Sequence, residues 1–419
     1  MKRIVQIVHA IEGYDPDALP VDKARAAIRA CLEPVRETEF VPVREALGRV
    51  LAQDIVPGID VPGHDNTAMD GYAVRFADLQ AETTVLQEVG VALAGKAFTD
   101  TVEPGQCVRV TTGAVMPAGT DTVVVQEVVK VMDGRITIPP GQKAAQNVRY
   151  AGEDLRKGVP VLRPGRVLSP ADLGLVASLG IGELEVRRRV RVAFFSTGDE
   201  LASIGTALKA GEVYDSNRYT LHGMLARLGV EIRDLGVVRD DPAQLEAAFR
   251  DAAANADAII TTGGVSVGEA DFVKPMMAKL GEALFWRIAM RPGRPMAFGR
   301  IGNAFLFGLP GNPVAVMVTF YQFVREALLV LGGRAGDCAP LLLEATAAEP
   351  LRKVAGRTEF QRGVLLREDG VLKVTTTGQQ GSGVLRSMSE ANCFIVLEHA
   401  RGKVQAGERV QVQPFEGLV

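Results

Sequence analysis

The chain has 419 residues, 47% of them apolar, and a formal net charge of -3. That length calls for two to four domains, the charge gives no general pull toward nucleic acid or an acidic membrane surface, and an aromatic share of 5% argues against base-stacking platforms. Cys31, Cys107, Cys338 and Cys393 form no Cys-x-x-Cys pair and His9, His64, His222 and His399 are scattered, which argues against a zinc ribbon, a disulfide framework or a His-based metal site and suits a reducing cytoplasm. In chain order, the N-terminal run after Lys2 and Arg3 is interrupted by Gln6 and His9 and has no small-residue cleavage site, so it does not read as a signal peptide. No segment approaches the uninterrupted apolar length expected of a membrane span. Val21, Ala24, Ala27, Ile28 and Leu32 have helical spacing, ended by Pro34, and a second short helix is expected over Val43–Leu51. From Asp65 to about Tyr150, Val and Thr runs with many glycines suggest β structure. Ser169-Pro170 marks a helix start.

From Val190 to Gly333 the pattern alternates as a parallel sheet requires. Strands are expected at Val190–Phe195, Val230–Val238, Ala258–Thr262, Leu284–Ala289 and Phe305–Gly308. Helices are expected at Asn217–Leu228, after Asp241-Pro242, near Phe272–Leu280, and over the apolar run Val314–Leu331. Beyond Gly332-Gly333, short strands and turns suggest a small β domain, a barrel, with a hairpin turn at Glu368-Asp369-Gly370. The fold class is therefore α/β multidomain: a scaffold from 1–55 plus 147–185, an inserted β-rich domain at 56–146, an α/β domain at 186–333 and a C-terminal β domain at 334–419. Two successive N-terminal domains are the alternative to an insertion.

Open α/β sheets bind ligands at the carboxyl ends of their strands, and four constellations bear on that edge. Thr261–Asp271, TTGGVSVGEAD, joins Gly263 and Gly264, which allow close backbone approach to an anion, to Ser266 and Asp271. Ser196–Glu200 with Asp240 brings further hydroxyls and carboxylates, a set suited to Mg²⁺ beside phosphates; singly, Asp199 reads equally well as a helix cap. Met290–Pro295 holds Arg291 and Arg294 between prolines, a stiff pocket for an oxyanion, or else a solvated turn. Leu309–Pro313 starts a helix whose free N–H groups favour an anion, with Asn312 as N-cap and Pro313 at the first helical position. Asp65–Ala73, Thr111–Gly113, Arg362 and the Gly378–Met388 run pass for turn and loop chemistry on physics alone. No Ser/His/Asp set, Cys/His pair or Walker lysine loop is present, so electrostatic positioning rather than protein nucleophilic catalysis is expected.

In this order the motifs resemble the molybdopterin molybdenumtransferases, the MoeA family that includes the E domain of gephyrin. The matching runs are DNTAMDGYAVR at 65–75, TTGAVMPAGTD at 111–121, GEDL at 152–155, STGDEL at 196–201, YDSNR at 214–218, TTGGVSVGEAD at 261–271, RPGRPMAFG at 291–299 and GLPGNPV at 308–314, with the Ser382-to-Met388 run behind them. The resemblance implies insertion of molybdenum from molybdate into adenylylated molybdopterin with release of AMP, assisted by Mg²⁺, in a cytoplasmic, elongated homodimer. Its site is then shared between the α/β domain of one protomer and the inserted domain of the other.

It further implies catalytic roles for Asp70, Asp154, Glu200, Asp240 and Asp271, with Glu200 and Asp271 holding the metal. Thr112, Gly113, Thr197, Gly198, Asp199, Asp215, Gly263, Gly264, Pro310, Asn312 and Pro313 would bind adenylylated molybdopterin. Ser266, Arg291, Arg294, Arg362 and Ser382 would bind molybdate. An enzyme of the adenylyltransferase type is a further expected partner; nucleic acid and membrane are not. Many relatives carry lysines where this chain has Arg291 and Arg294, and residues 1–18 form an extension with no family role. The alternatives are a non-catalytic scaffold protein on the same fold, or a molybdopterin adenylyltransferase, whose α/β domain is similar but which lacks the DNTAMDGYA segment.

Overall fold

The structure is a computed structural model that describes residues 4–11, 14–264 and 273–415. Its central sheet has four parallel strands in the order Glu231–Val238, Arg191–Thr197, Ala258–Thr262 and Ala304–Leu309. Arg191–Thr197 is buried at every position but the first, as a strand covered on both faces must be. Val192 and Phe194 face a core shared with Leu221, Met224 and Leu225 of the helix Ser216–Arg227. Ala193 and Phe195 face the opposite core, with Leu245, Phe249 and Ala252 of the helix Pro242–Asn255. Asp241 caps that second helix by accepting from Gln244 N at 2.9 Å, and Pro242 occupies its first turn.

The sheet is not wholly parallel. Pro295–Ile301 and Glu282–Arg287 complete it as antiparallel strands. The strand Pro295–Ile301 was not among the expected ones: it begins at a proline, directly behind the RPGRP run, and Gly302, at φ 58°, turns it straight into Ala304–Leu309. The apolar helix runs from Pro313 to Leu331, with one π-type turn at Phe320–Val324. By length and composition alone this 19-residue helix, whose most apolar stretch has mean hydropathy 1.7, is long and apolar enough to cross a membrane, but Gln322, Arg325 and Glu326 interrupt the apolar run and 83% of that stretch is buried inside the protein. It is a core helix of the α/β unit.

Residues before the first motif have a structural role. Ile4 and Val8 of the short helix Ile4–His9, with Ala24, Ala27 and Ile28 of the helix Val21–Cys31, enter the α/β core. Trp286 Nε1 donates to Tyr14 Oη at 3.0 Å. The helix expected over Val43–Leu51 is only a 3-10 turn, Val43–Glu45. Gly48 takes φ 73°, and Val50 and Leu51 bridge to Val167 and Val186 instead. A separate small core gathers Val41, Leu51, Ile55, Leu162, Val176 and Val186. Beside it the helix Pro170–Ser178 begins with a capping box between Ser169 and Asp172.

The segment between these pieces forms its own six-stranded sheet, in the order Thr122–Val125, Gly71–Val74, Gln106–Val110, Thr84–Ala92, Arg135–Ile138 and Lys130–Met132. The C-terminal strands close on themselves: Thr358–Glu368 pairs with both Val371–Thr376 and Cys393–Leu397, and Leu343–Ala347 and Arg409–Pro414 complete the barrel. Asp369 and Gly370, both at positive φ, make the expected hairpin turn. Met290–Arg291 adds in parallel to Thr358 and Glu359, so the two-arginine segment is clamped between the α/β sheet and the barrel.

Candidate active site

The carboxyl ends of the parallel strands meet at one cleft of about 740 Å³. Thr197 and Gly198 follow one strand, Gly263 and Gly264 the next, and Pro310, Gly311 and Asn312 the third. The fourth strand supplies Asp240. Arg291 and Arg294 face these loops, and Ser382, Gln380 and Gly381 reach in from the barrel.

Both glycines of the central loop are required by geometry. Gly263 takes φ 87°, and a Cβ there would lie 2.5 Å from the Thr197 carbonyl oxygen. Gly264 takes φ 65°, and its Cβ would lie 2.2 Å from Val273 Cγ2. Backbone therefore approaches backbone at Gly263, and the Val273 side chain fills the space beside Gly264, with no room for a side chain at either. Gly293, at φ 92°, serves the same end in the arginine segment, where a Cβ would meet Thr319 Oγ1 at 2.5 Å. Asn217 Nδ2 donates to the Gly311 carbonyl at 2.7 Å and so fixes the third loop. Its importance was not evident from the sequence, since residues 217 and 311 are brought together only by the fold.

The electrostatics of the cleft are those of an anion site. Neither Arg291 nor Arg294 has a hydrogen-bond or ion-pair partner for its guanidinium among the described residues. Both side chains are exposed, while Pro292 and Gly293 between them are buried. Arg357, which sequence reasoning did not single out, also lines the cleft, held by Glu359 at 2.9 Å. Glu200 turns its carboxylate over Gly198 and has no ion-pair partner among the described residues. Among the described residues, Glu200 and Asp240 are the carboxylates lining the cleft. No group of three His, Cys, Asp or Glu among the described residues could hold a metal.

The expected residues are not all in this cleft. Arg362 lines a neighbouring cleft of about 450 Å³ that shares Arg291, Pro292 and Gln380 with the first. It is buried, and donates to Ser387 Oγ at 3.1 Å and to the Gly381 carbonyl at 3.1 Å. Burial, with the Arg291 charge, pushes its guanidinium down to about 10. Asp70 accepts from both the backbone N–H and the hydroxyl of Thr112, at 2.7 and 2.8 Å. These two bonds, backbone first, hold the fully exposed carboxylate below its ordinary range, with help from Arg109. Asp70, Thr112 and Gly113 sit on the inserted sheet and do not line the cleft; nor does the exposed Asp154.

Asp199 pairs with Arg239 at 3.7 Å rather than capping a helix. Asp215 is the N-cap of Ser216–Arg227. Pro313 does not line the cleft, and the helix start behind Asn312 is less open than expected: Val314 N–H donates to the Ser382 carbonyl at 3.0 Å, and the Asn312 side chain makes no capping bond. Ser266 and Asp271 lie outside the described residues.

Three family models match the chain: "MoeA N-terminal region (domain I and II)" over residues 19–180, "Probable molybdopterin binding domain" over 193–329, and "MoeA C-terminal region (domain IV)" over 344–415. A molybdopterin molybdenumtransferase of Haemophilus influenzae is 45% identical over 96% of this chain and 100% of its own length. One from a Nostoc species is 36% identical over 91% of this chain and 89% of its own. The crystal structure of a molybdopterin biosynthesis moeA protein from Pyrococcus horikoshii superposes with a TM-score of 0.84 at 29% identity, covering 95% of this chain and 100% of that one.

Proposed function

The chain belongs to the molybdopterin molybdenumtransferase (MoeA) family, a transferase family of molybdenum cofactor biosynthesis, and we propose that its cleft binds molybdate and adenylylated molybdopterin, inserts the metal and releases AMP. The observation that carries this reading is the pair of exposed, unpartnered guanidiniums, Arg291 and Arg294, facing two glycine-shaped loops across one cleft. Guanidiniums with no internal carboxylate favour an oxyanion. The backbone at Gly263 and Gly264 is bare enough to take a phosphate.

In this reading molybdate sits against Arg291, Arg294 and Ser382, and Arg362 adds charge from the adjoining cleft. Ser266 belongs to the same set by sequence. The adenylate phosphate rests on the Thr197-Gly198 and Gly263-Gly264 loops. Glu200 and Asp240 are two carboxylates in one cleft, which suits Mg²⁺, an ion that takes one or two carboxylates and completes its shell with phosphates and water. Asp271 joins them on the sequence pattern. Bound there, the ion would offset charge on the phosphate oxygens as the bond to molybdopterin breaks. The residues themselves position the two anions and stabilise the charge between them.

Asp70 and Thr112 form an exposed hydrogen-bonded unit away from the cleft. This supports a homodimer in which they complete the site of a second copy. The test is direct. Purified protein given molybdate, Mg²⁺ and adenylylated molybdopterin should release AMP, and Arg294→Ala should cut the rate by about a hundredfold, the scale of one lost charge stabiliser. Wild-type protein that binds the substrate without releasing AMP overturns the reading and favours a scaffold role.

A further inference from the structure

Arg357 differs from Arg291 and Arg294 in two ways: it enters the main cleft from the barrel, and one side of its guanidinium is already occupied. Arg357 stands just before the strand Thr358–Glu368, and residues 357, 359 and 361 alternate along the chain, which puts their side chains on one face. Arg357 Nε donates to Glu359 Oε1 at 2.9 Å, and Nη2 lies 2.9 Å from the same oxygen. Gln361 Nε2 donates to the other oxygen, Glu359 Oε2, at 3.1 Å and to the Arg352 carbonyl at 2.7 Å. We propose, resting on the molybdate reading of this cleft, that Arg357 is a third guanidinium ligand of molybdate. Glu359 holds its Nε–Nη2 side, and its Nη1–Nη2 edge faces the anion.

A guanidinium carries its N–H donors in a fixed planar fork. Side-on contact with one carboxylate oxygen occupies the Nε–Nη2 side, and no described residue accepts from Nη1. The paired donors of the remaining edge match two oxygens of a tetrahedral oxyanion. The plain alternative is that Arg357 only neutralises the buried Glu359. Against it, the Arg357 side chain is 37% exposed and that of Glu359 4%, so the pair is open at its arginine end. Glu359 is also not dependent on Arg357 alone. Gln361 serves its second oxygen, and Lys353, buried nearby, is another cation whose charge interacts with Glu359. The Lys353 ammonium itself donates to the carbonyls of Val354 and Arg401, both at 2.9 Å.

The backbone decides which anion this edge meets. Thr358 N–H donates to the Ala289 carbonyl at 2.9 Å, and Met290 and Arg291 stand opposite Thr358 and Glu359 in a parallel ladder. Arg357 and Arg291 therefore come to the cleft from adjacent strands, about 4.8 Å apart. The glycine loops proposed for the adenylate phosphate follow strands of the α/β sheet instead. Because Glu359 offsets its charge, Arg357 contributes directed hydrogen bonds more than net charge. An ammonium group, a point charge without a planar edge, does not reproduce that contact.

Calorimetric titration of molybdate alone into the full-length protein, with AMP titrated in parallel, tests this. Arg357→Lys keeps a cation beside Glu359 and removes the planar edge. It should weaken molybdate binding about tenfold or more, with melting temperature and AMP affinity unchanged. Arg357→Met/Glu359→Gln removes both charges and leaves no buried carboxylate unpaired; it should weaken molybdate by a similar factor. Wild-type molybdate affinity in either variant overturns the assignment. So does AMP binding that weakens in step with molybdate, the mark of a brace for the whole cleft. Wild-type protein that binds no molybdate overturns the assignment together with the reading it rests on. Wild-type protein that binds molybdate but releases no AMP overturns molybdenum insertion alone, and the loss of molybdate binding in the two variants would still identify Arg357 as an oxyanion ligand.

Discussion

Arg362 is a cation almost wholly removed from water whose described partners are a hydroxyl and main-chain carbonyls. A buried charge without a carboxylate is a stability cost. The protein carries that cost beside Arg291, where an anion would repay it. Arg362→Met keeps the length and removes the charge. It should leave the melting temperature unchanged or raise it, while the molybdate needed for half-maximal AMP release rises about tenfold or more. A fall in melting temperature with unchanged molybdate dependence would show that Arg362 is only a brace for the Gln379–Gly381 loop. Asp70 is the opposite case, an exposed carboxylate tuned by hydrogen bonds. Its folded pKa is depressed, so its contribution is present above the ordinary carboxylate range and is lost as pH falls through the lower folded value. Thr112→Val removes one of the two bonds and should move the Asp70 titration upward in a carboxylate NMR experiment. An unmoved titration means that the backbone N–H of Thr112 alone sets it.

The loops at the strand ends are set by small residues, and the energetics can be read from what would not fit. Gly263→Ala must place a methyl group 2.5 Å from a main-chain oxygen at φ 87°, and the strand carrying Thr197 has no freedom to give. A misplacement of about 1 Å at such a site costs on the order of a hundredfold in rate, so AMP release should fall by that factor even where the variant folds. The capping box at Ser169 is a contrasting control far from chemistry. Ser169→Ala should cost about 1 kcal/mol by denaturant titration, with activity per folded molecule unchanged. These elements were legible in the sequence for the same reason they are fragile: Gly at an obligatory positive φ and Ser-Pro at a helix start are local signals. The expected helix over Val43–Leu51 failed because Val43, Ala46, Leu47, Val50 and Leu51 have helical spacing while Gly48 turns the chain and Val50 and Leu51 bridge to distant residues. Periodicity cannot register a partner more than a hundred residues away. The antiparallel strand Pro295–Ile301 was hidden for another reason: its partners are local, but it begins at a proline directly behind the RPGRP run; the bond from Asn217 to Gly311, 94 residues apart, exists only in the fold.

At the scale of the whole molecule, the motifs divide between two places. Arg291, Arg294, Glu200, Asp240 and the glycine loops share the α/β cleft, while Asp70 and Thr112 stand exposed on the inserted sheet and do not line it. Motif order made the membership of the site readable, because each run is long and specific. The same motifs imply that Asp70 and Thr112 serve a second copy, whereas the fold of one chain shows only that they lie apart from the cleft. Subunit mixing tests this. Asp70→Asn and Arg294→Ala chains should each form inactive dimers. Unfolded together and refolded, half of the dimers would be mixed, and each mixed dimer of a two-fold assembly would hold one site with both defects and one with neither, returning about a quarter of wild-type AMP release. If Asp70 served the cleft of its own chain, every site in every mixed dimer would keep one defect and no activity would return. Recovery therefore reports the sharing of the site itself, because mere dimer formation gives no signal.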